Sequence, residues 1–181
     1  MTATATLAAL ALAALPAVVQ AQDRATLPVG LEFASIDGGR IAMDDYAGQA
    51  VLVVNTASLC GFAPQFTALQ ALHDRYGDAG LVVLAVPSDD FNQELGGDAE
   101  VKAFCELTYG IDMPMTTITA VLGDGAHPLY RWLADSAGFV PAWNFSKVLI
   151  GRDGMVAGQW GGRVAPGNAA IITAIDAALT R

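Results

Sequence analysis

A cysteine stands at position 60 in the run VLVVNTASLCGFAPQF. An apolar stretch of strand character, Val51 to Thr56, precedes it, and a stretch of helical spacing, roughly Ala63 to Tyr76, follows. That order predicts a thiol at the N-terminal end of a helix, where unpaired backbone N–H groups and the helix dipole favour negative charge. The thiolate is the reactive form of cysteine, so the backbone itself would activate this side chain as a nucleophile. The chain has one other cysteine, Cys105, 45 residues further on. Neither belongs to a C-x-x-C pair, and no Cys/His grouping has zinc spacing. The bland reading of the pair is a structural disulfide, although a domain of this size does not need one. His73 falls on the surface of the predicted helix and His127 precedes Pro128 at a helix start. Neither is assigned to catalysis.

The elements that must position these thiols follow from periodicity. Leu31 to Phe33 and Arg40 to Ala42 flank Asp37-Gly38-Gly39 as a short hairpin. The helix after Cys60 carries Phe66, Leu69, Leu72 and Tyr76 at helical spacing. LVVLAVP, residues 81–87, is a second apolar run of the kind found in buried strands. After the polar loop 88–98, Asp98 is placed to cap a helix, Ala99 to Tyr109, with Val101, Phe104 and Leu107 inward. Pro114 to Leu122 reads as a strand and His127 to Ala137 as a helix. Lys147 to Ile150 and Met155 to Trp160 read as two strands joined by Arg152-Asp153-Gly154, and Asn168 to Leu179 as a closing helix. Early βαβ units imply parallel strands with right-handed crossovers, and the late hairpin implies an antiparallel edge. The sum is an α/β chain whose mixed central sheet, flanked by helices, resembles the thioredoxin fold.

Totals narrow the function. The 181 residues are 54% hydrophobic and 15% charged, which describes a globular chain with a substantial core. With 18 acidic against 9 basic residues the net charge is -9, which argues against nucleic acid and anionic membrane surfaces as partners. The first 21 residues carry no charged side chain, Leu7 to Val19 is almost wholly apolar, and Val19-Gln20-Ala21 fits a small-x-small cleavage pattern. Residues 1–21 are read as a secretory signal peptide and 22–181 as one domain. Export to a periplasmic or secreted location would place both cysteines in an oxidising compartment.

Four segments then align with a single family: NTASLCGFAPQF (55–66), the Gln93-Glu94 pair in its glycine-containing loop, EVKAFCELTYG (100–110) and WNFSKVLIGRDG (143–154). On these residues the chain resembles a glutathione peroxidase of the cysteine type, over roughly Pro28 to Leu179. Through Phe104-Cys105 it resembles the two-cysteine, thioredoxin-dependent subgroup. The resemblance implies a thiol peroxidase for hydrogen peroxide or organic hydroperoxides. Cys60 would be the peroxidatic cysteine, Gln93, Trp143 and Asn144 the other catalytic positions, and Cys105 the resolving cysteine. Neutral donors suit that chemistry, because they stabilise a thiolate and a departing oxygen without titrating. No cofactor is implied; a thioredoxin-like dithiol or glutathione would be the co-substrate.

The chain departs from the family pattern at three places. Leu59 stands where a basic residue usually precedes the catalytic cysteine. The spacer before Gln93 is one residue shorter, which predicts a shifted loop. The short stretch Ala137 to Trp143 lacks the insertion used for tetramer contacts, which implies a monomer or weak dimer. Two other readings stay open on the residues: a peroxide sensor or redox relay, and a non-catalytic thioredoxin-like module with a structural disulfide.

Overall fold

The structure is a computed structural model and describes residues 25–180. The proposed signal segment, residues 1–21, lies outside the described residues.

Two short strands, β1 (Glu32–Ala34) and β2 (Arg40–Ala42), form an antiparallel hairpin. Its turn needs glycine, since Gly38 and Gly39 both take positive φ. The central sheet is built from β3 (Ala50–Thr56), β4 (Leu81–Pro87), β5 (Lys147–Ile150) and β6 (Val156–Trp160), in the order β4-β3-β5-β6. β3 and β4 pair in parallel from Ala50↔Leu81 to Thr56↔Pro87. α1 (Gln65–Tyr76) is their crossover. β5 runs antiparallel to β3, and β6 to β5, so the sheet is mixed as expected.

Every residue of β3, β4 and β5 is buried, because helices cover both faces. Alternation sorts their side chains into two cores. Leu52, Val54, Val83 and Ala85 pack with Phe66 and Leu69 of α1, Val101 and Cys105 of α2 (Asp98–Tyr109), and Ile171 and Ile175 of α4 (Ala169–Leu179). Val51, Val53, Val82 and Leu84 pack with Leu129 and Leu133 of α3 (Pro128–Ala137) and with Phe33 and Ile41 of the hairpin. Each large apolar side chain so buried contributes about 1.5–3 kcal/mol. The covered sheet is the rigid platform from whose upper edge the site loops leave.

The structure corrects four local expectations. α1 begins at Gln65, with Pro64 at its cap, two residues later than the pattern predicts. α2 is capped by extended Gly97, and the Asp98 carboxylate instead accepts the Ile118 N–H at 2.7 Å. Residues 114–122 form no strand. Met115 makes one bridge to Ala85 and Thr116 one to Ser35, and the N–H groups of Thr117 and Thr119 go to the Ala34 and Pro87 carbonyls; side chains take three others, Asp98 that of Ile118 and Asp90 those of Val121 and Leu122. Leu107 is 87% exposed; Val101 and Cys105, one turn apart, hold the inward stripe of α2.

Candidate active site

Residues 57–64 connect β3 to α1 through tight turns. The Ala63 N–H donates to the Cys60 carbonyl, and those of Gln65 and Phe66 to the carbonyls of Phe62 and Ala63. Cys60 therefore precedes the first helical residue by five positions and sits in the turn that leads into α1. Its sulfur accepts the Phe62 N–H at 3.4 Å, and the residue is buried. The donor expected from the helix end is thus supplied by the turn. The backbone N–H meets the sulfur there as a hydrogen-bond donor.

The loop after β4 reaches this turn directly. The Leu59 N–H donates to the Gln93 carbonyl at 2.9 Å. Asn92, directly before Gln93, takes a φ of 55°, a conformation asparagine tolerates. Glu94, directly after Gln93, is buried. Its Oε1 accepts the N–H groups of Ser58 and Leu95, both at 2.9 Å. Burial pushes the Glu94 carboxyl above the ordinary carboxylate range, against the pull of those donors. Glu94 is thus the buckle between the Gln93 loop and the Cys60 turn.

A third segment, 143–146, closes over the end of β3. The Phe145 N–H donates to the Asn55 carbonyl at 2.6 Å, and the Asn55 side chain donates to the Trp143 carbonyl at 3.2 Å. Phe145 holds a left-handed φ of 63°, which bends the chain so that its ring packs edge-on against Phe66 of α1. Asn144 is fully buried and donates its side-chain amide to Gln93 Oε1 at 3.0 Å. Its own Oδ1 is buried without a partner. Gly162 lies so close that a Cβ there would collide with the Asn144 carbonyl.

The structure therefore brings Cys60, Gln93 and Asn144 into one neighbourhood from three separate loops. Trp143 borders it, 43% exposed, with its ring 5.2 Å from that of Phe91. Leu59, 61% exposed, adds a second apolar side chain to the rim.

Cys105 is placed differently. It lies mid-helix in α2, 1% exposed, in the same apolar core as Cys60. Both thiols are free. A cavity of about 180 Å³ touches Cys105, lined by Ile36, Lys102, Ile111, Met113 and Met115 among others. Burial, with the charges of Glu94 and Glu106, pushes the Cys105 thiol up to about 12.

Three residues around the site had no role read from the sequence. Glu94 adjoins Gln93, but nothing in a lone glutamate announces a buckle. Lys147 opens β5 and is fully buried, and a lysine leading an apolar strand was the signal available. Gly162 carried no signal, because its constraint comes from a carbonyl 18 residues away. Among the described residues, no group of three or more His, Cys, Asp and Glu could hold a metal ion.

The family model for glutathione peroxidase matches residues 30–134, a span that includes Cys60, Gln93 and Cys105. The chain is 42% identical to hydroperoxy fatty acid reductase gpx1 of Synechocystis sp. over 148 residues, 76% of this chain and 88% of that protein. It is also 42% identical to a glutathione peroxidase of Lactococcus lactis over 137 residues, 72% of this chain and 87% of that one. The crystal structure of Trgpx in apo form superposes with a TM-score of 0.63 at 32% identity, covering 83% of this chain and 94% of that one. A thioredoxin-family thiol:disulfide interchange protein from Chlorobium tepidum shares the fold at a TM-score of 0.65 and 18% identity, over 87% of this chain and 99% of that one. With its sheet order and its matched segments both in place, the chain belongs to the glutathione peroxidase family and is a peroxidase, an oxidoreductase of thioredoxin-like fold.

Proposed function

We propose that the chain reduces hydrogen peroxide or organic hydroperoxides at Cys60. The thiolate attacks one peroxide oxygen; the S–O bond forms as the O–O bond breaks. Cys60 becomes a sulfenic acid and the other oxygen leaves as an alkoxide or hydroxide that takes a proton. Gln93, Trp143 and Asn144 act as neutral donors to the thiolate and to the leaving oxygen. The observation that carries this reading is the Asn144–Gln93 amide pair, tied by the Leu59 N–H to Gln93 carbonyl bond to the turn whose cysteine sulfur accepts a backbone N–H. The name of the Synechocystis relative, a hydroperoxy fatty acid reductase, supports organic hydroperoxides as substrates. The apolar rim of Leu59 and Trp143 fits such a substrate.

Cys105 resolves the sulfenic acid. Its thiolate sulfur attacks Cys60, hydroxide leaves as water, and a disulfide remains for a thioredoxin-like dithiol or glutathione to reduce. No prosthetic group takes part; the thiol is the co-substrate. Buried in an intact helix with its proton held tightly, Cys105 is inert until α2 opens. Gly97 and Gly110 at the two ends of α2 support such opening. The chain works after export, with residues 1–21 removed, as a monomer or weak dimer. A relay role is the second reading. The burial of Cys105 favours it, since slow resolution would leave a sulfenic acid for a partner's thiol.

Peroxide turnover driven by glutathione is to be compared with turnover driven by a thioredoxin-type dithiol. The expected result is faster turnover with the dithiol, one disulfide per molecule, and no consumption of peroxide by Cys60→Ser. Equal peroxide consumption by that variant would remove the proposed site.

A further inference from the structure

α2 is held to the core by little apolar packing. It has 12 residues, as α1 does, but only Val101 and Cys105 of them are buried, against five in α1. Phe104 and Tyr109 add half-buried rings at its margin. Beside Cys105 the packing is interrupted, because the cavity of about 180 Å³ lies between Lys102 and Cys105 of α2 and Ile36, Met113 and Met115 opposite. Side chains that line a gap forgo the contacts a filled core supplies. No side chain caps the first turn, whose N-cap is Gly97. Few buried contacts and an uncapped end mark a segment that opens locally, at less cost than the whole fold.

Two polar contacts close this weak face. Asp98, the first residue of α2, turns its carboxylate away from its own helix and accepts the Ile118 N–H at 2.7 Å. One turn on, Lys102 Nζ donates to Asp37 Oδ1 at 2.5 Å, and both of these residues line the cavity. Residues 98 and 102 are four apart, so the two contacts leave the same face of the helix. Their far ends belong to one wall. Ile36, next to Asp37, donates its N–H to the Met115 carbonyl at 3.0 Å, Ser35 bridges Thr116, and the Thr117 N–H goes to the Ala34 carbonyl. The start of α2 is thus fastened twice to a wall that its buried side chains meet only in part.

We infer that Asp98 and Lys102 are positioning residues, a pair of clasps that hold α2 shut over Cys105 and so set how often that thiol is uncovered for disulfide formation. With the clasps released, the helix opens from its glycine-flanked start, where Gly96 and Gly97 precede it. The inference rests on the reading of Cys105 as the resolving thiol for its place in the reaction, but the opening itself is measured without turnover.

The test is alkylation of Cys105 by iodoacetamide in a Cys60→Ser background at one fixed pH, which reads how often α2 opens. Asp98→Ala is expected to speed it about three- to tenfold, the range that one lost hydrogen bond supplies. Asp98→Asn keeps an acceptor oxygen and should return the rate toward that of Asp98. Lys102→Met is expected to speed labelling a few-fold. Charge alone works the other way, since removing a cation beside a thiol disfavours its ionisation, so acceleration reads opening. Asp37→Asn, which breaks the ion pair from the hairpin side without touching α2, should match Lys102→Met. Added sodium chloride should speed labelling while Lys102 is present and lose that effect in Lys102→Met. Unchanged labelling in either Asp98→Ala or Lys102→Met overturns the inference, as does an equal salt response with and without Lys102. Faster labelling with the urea dependence of global unfolding overturns it too, because the substitutions would then have weakened the whole fold. In the two-cysteine protein treated with one equivalent of peroxide, disulfide formation should quicken by the same factor. Quicker labelling without quicker disulfide formation would instead count against Cys105 as the resolving thiol alone.

Discussion

Two thiols share one apolar core and nearly the same burial, 5% exposed at Cys60 and 1% at Cys105, yet their surroundings oppose each other. Cys60 sits in a turn where a backbone N–H points at its sulfur and where two other loops bring side-chain amides. Cys105 sits inside regular helix, where the ladder uses the backbone donors and the nearby charges, Glu94 and Glu106, are negative. Burial by itself makes a thiol inert; reactivity comes from which dipoles and charges accompany it. Glu94 belongs to both environments. It pins the Ser58 N–H on the Cys60 side and loads the Cys105 side with negative charge.

The sharpest way to break this contrast is to remove each sulfur. Cys60→Ser should reduce peroxide consumption by at least about 10³-fold, whereas Cys105→Ser should complete a first turnover and then over-oxidise at Cys60, as read by mass spectrometry. Next in size is the labelling contrast in the intact protein. At pH 8 Cys60 should react with iodoacetamide on the order of 10³ times faster than Cys105, whose thiol is held near 12, and denaturant should abolish the difference.

Glu94 offers a mid-sized test. Glu94→Ala leaves two N–H groups without their acceptor and should cost about 1–3 kcal/mol for each that stays dry, measured by urea unfolding. Glu94→Gln keeps an acceptor, and should accelerate Cys105 labelling a few-fold because it removes a negative charge. The pH dependence has a definite sign. A carboxyl raised by burial binds its proton more tightly in the folded state than in the unfolded. Its contribution to stability therefore falls as pH rises above the ordinary carboxylate value, and Glu94→Gln should flatten that slope.

Gly162→Ala drives a Cβ into the Asn144 carbonyl and should cost about 1–3 kcal/mol by overpacking. It should slow the peroxide step while leaving Cys105 labelling unchanged, which would separate the two regions cleanly. The smallest effect belongs to Leu107→Ala on the exposed face of α2, within about 0.5 kcal/mol. A larger loss there would mean that the helix around Cys105 is held by its outer face.

Most of the fold was legible. The apolar runs of β3 and β4 have the length of buried strands, the Phe66–Leu69–Leu72–Tyr76 stripe carries the helical period, and Arg152-Asp153-Gly154 marks the late hairpin. The failures share a cause. Residues 114–122 look like a strand because Thr, Ile and Val favour extended backbone, but their backbone bonds are split among Ala34, Ala85 and Pro87, and the carboxylates of Asp98 and Asp90, 20 residues or more away, take the N–H groups of Ile118, Val121 and Leu122. Leu107 looked inward because it is apolar, whereas the α2 stripe was decided by the direction of Val101 and Cys105. Cys60, Gln93, Trp143, Asn144 and Cys105 were legible only as residue types in family-like segments.

What the sequence alone determined was the set of chemical parts: two cysteines 45 residues apart, amide and indole donors in two further stretches, and strands apolar enough to be covered on both faces. What only the tertiary structure decided was their company. The Gln93–Asn144 pair, the Glu94 buckle, the Gly162 contact and the Lys147–Gln65 bond all join residues 18 or more positions apart. Local propensity cannot see such contacts, since they exist only once the sheet has brought the ends of β3, β4 and β5 to one edge.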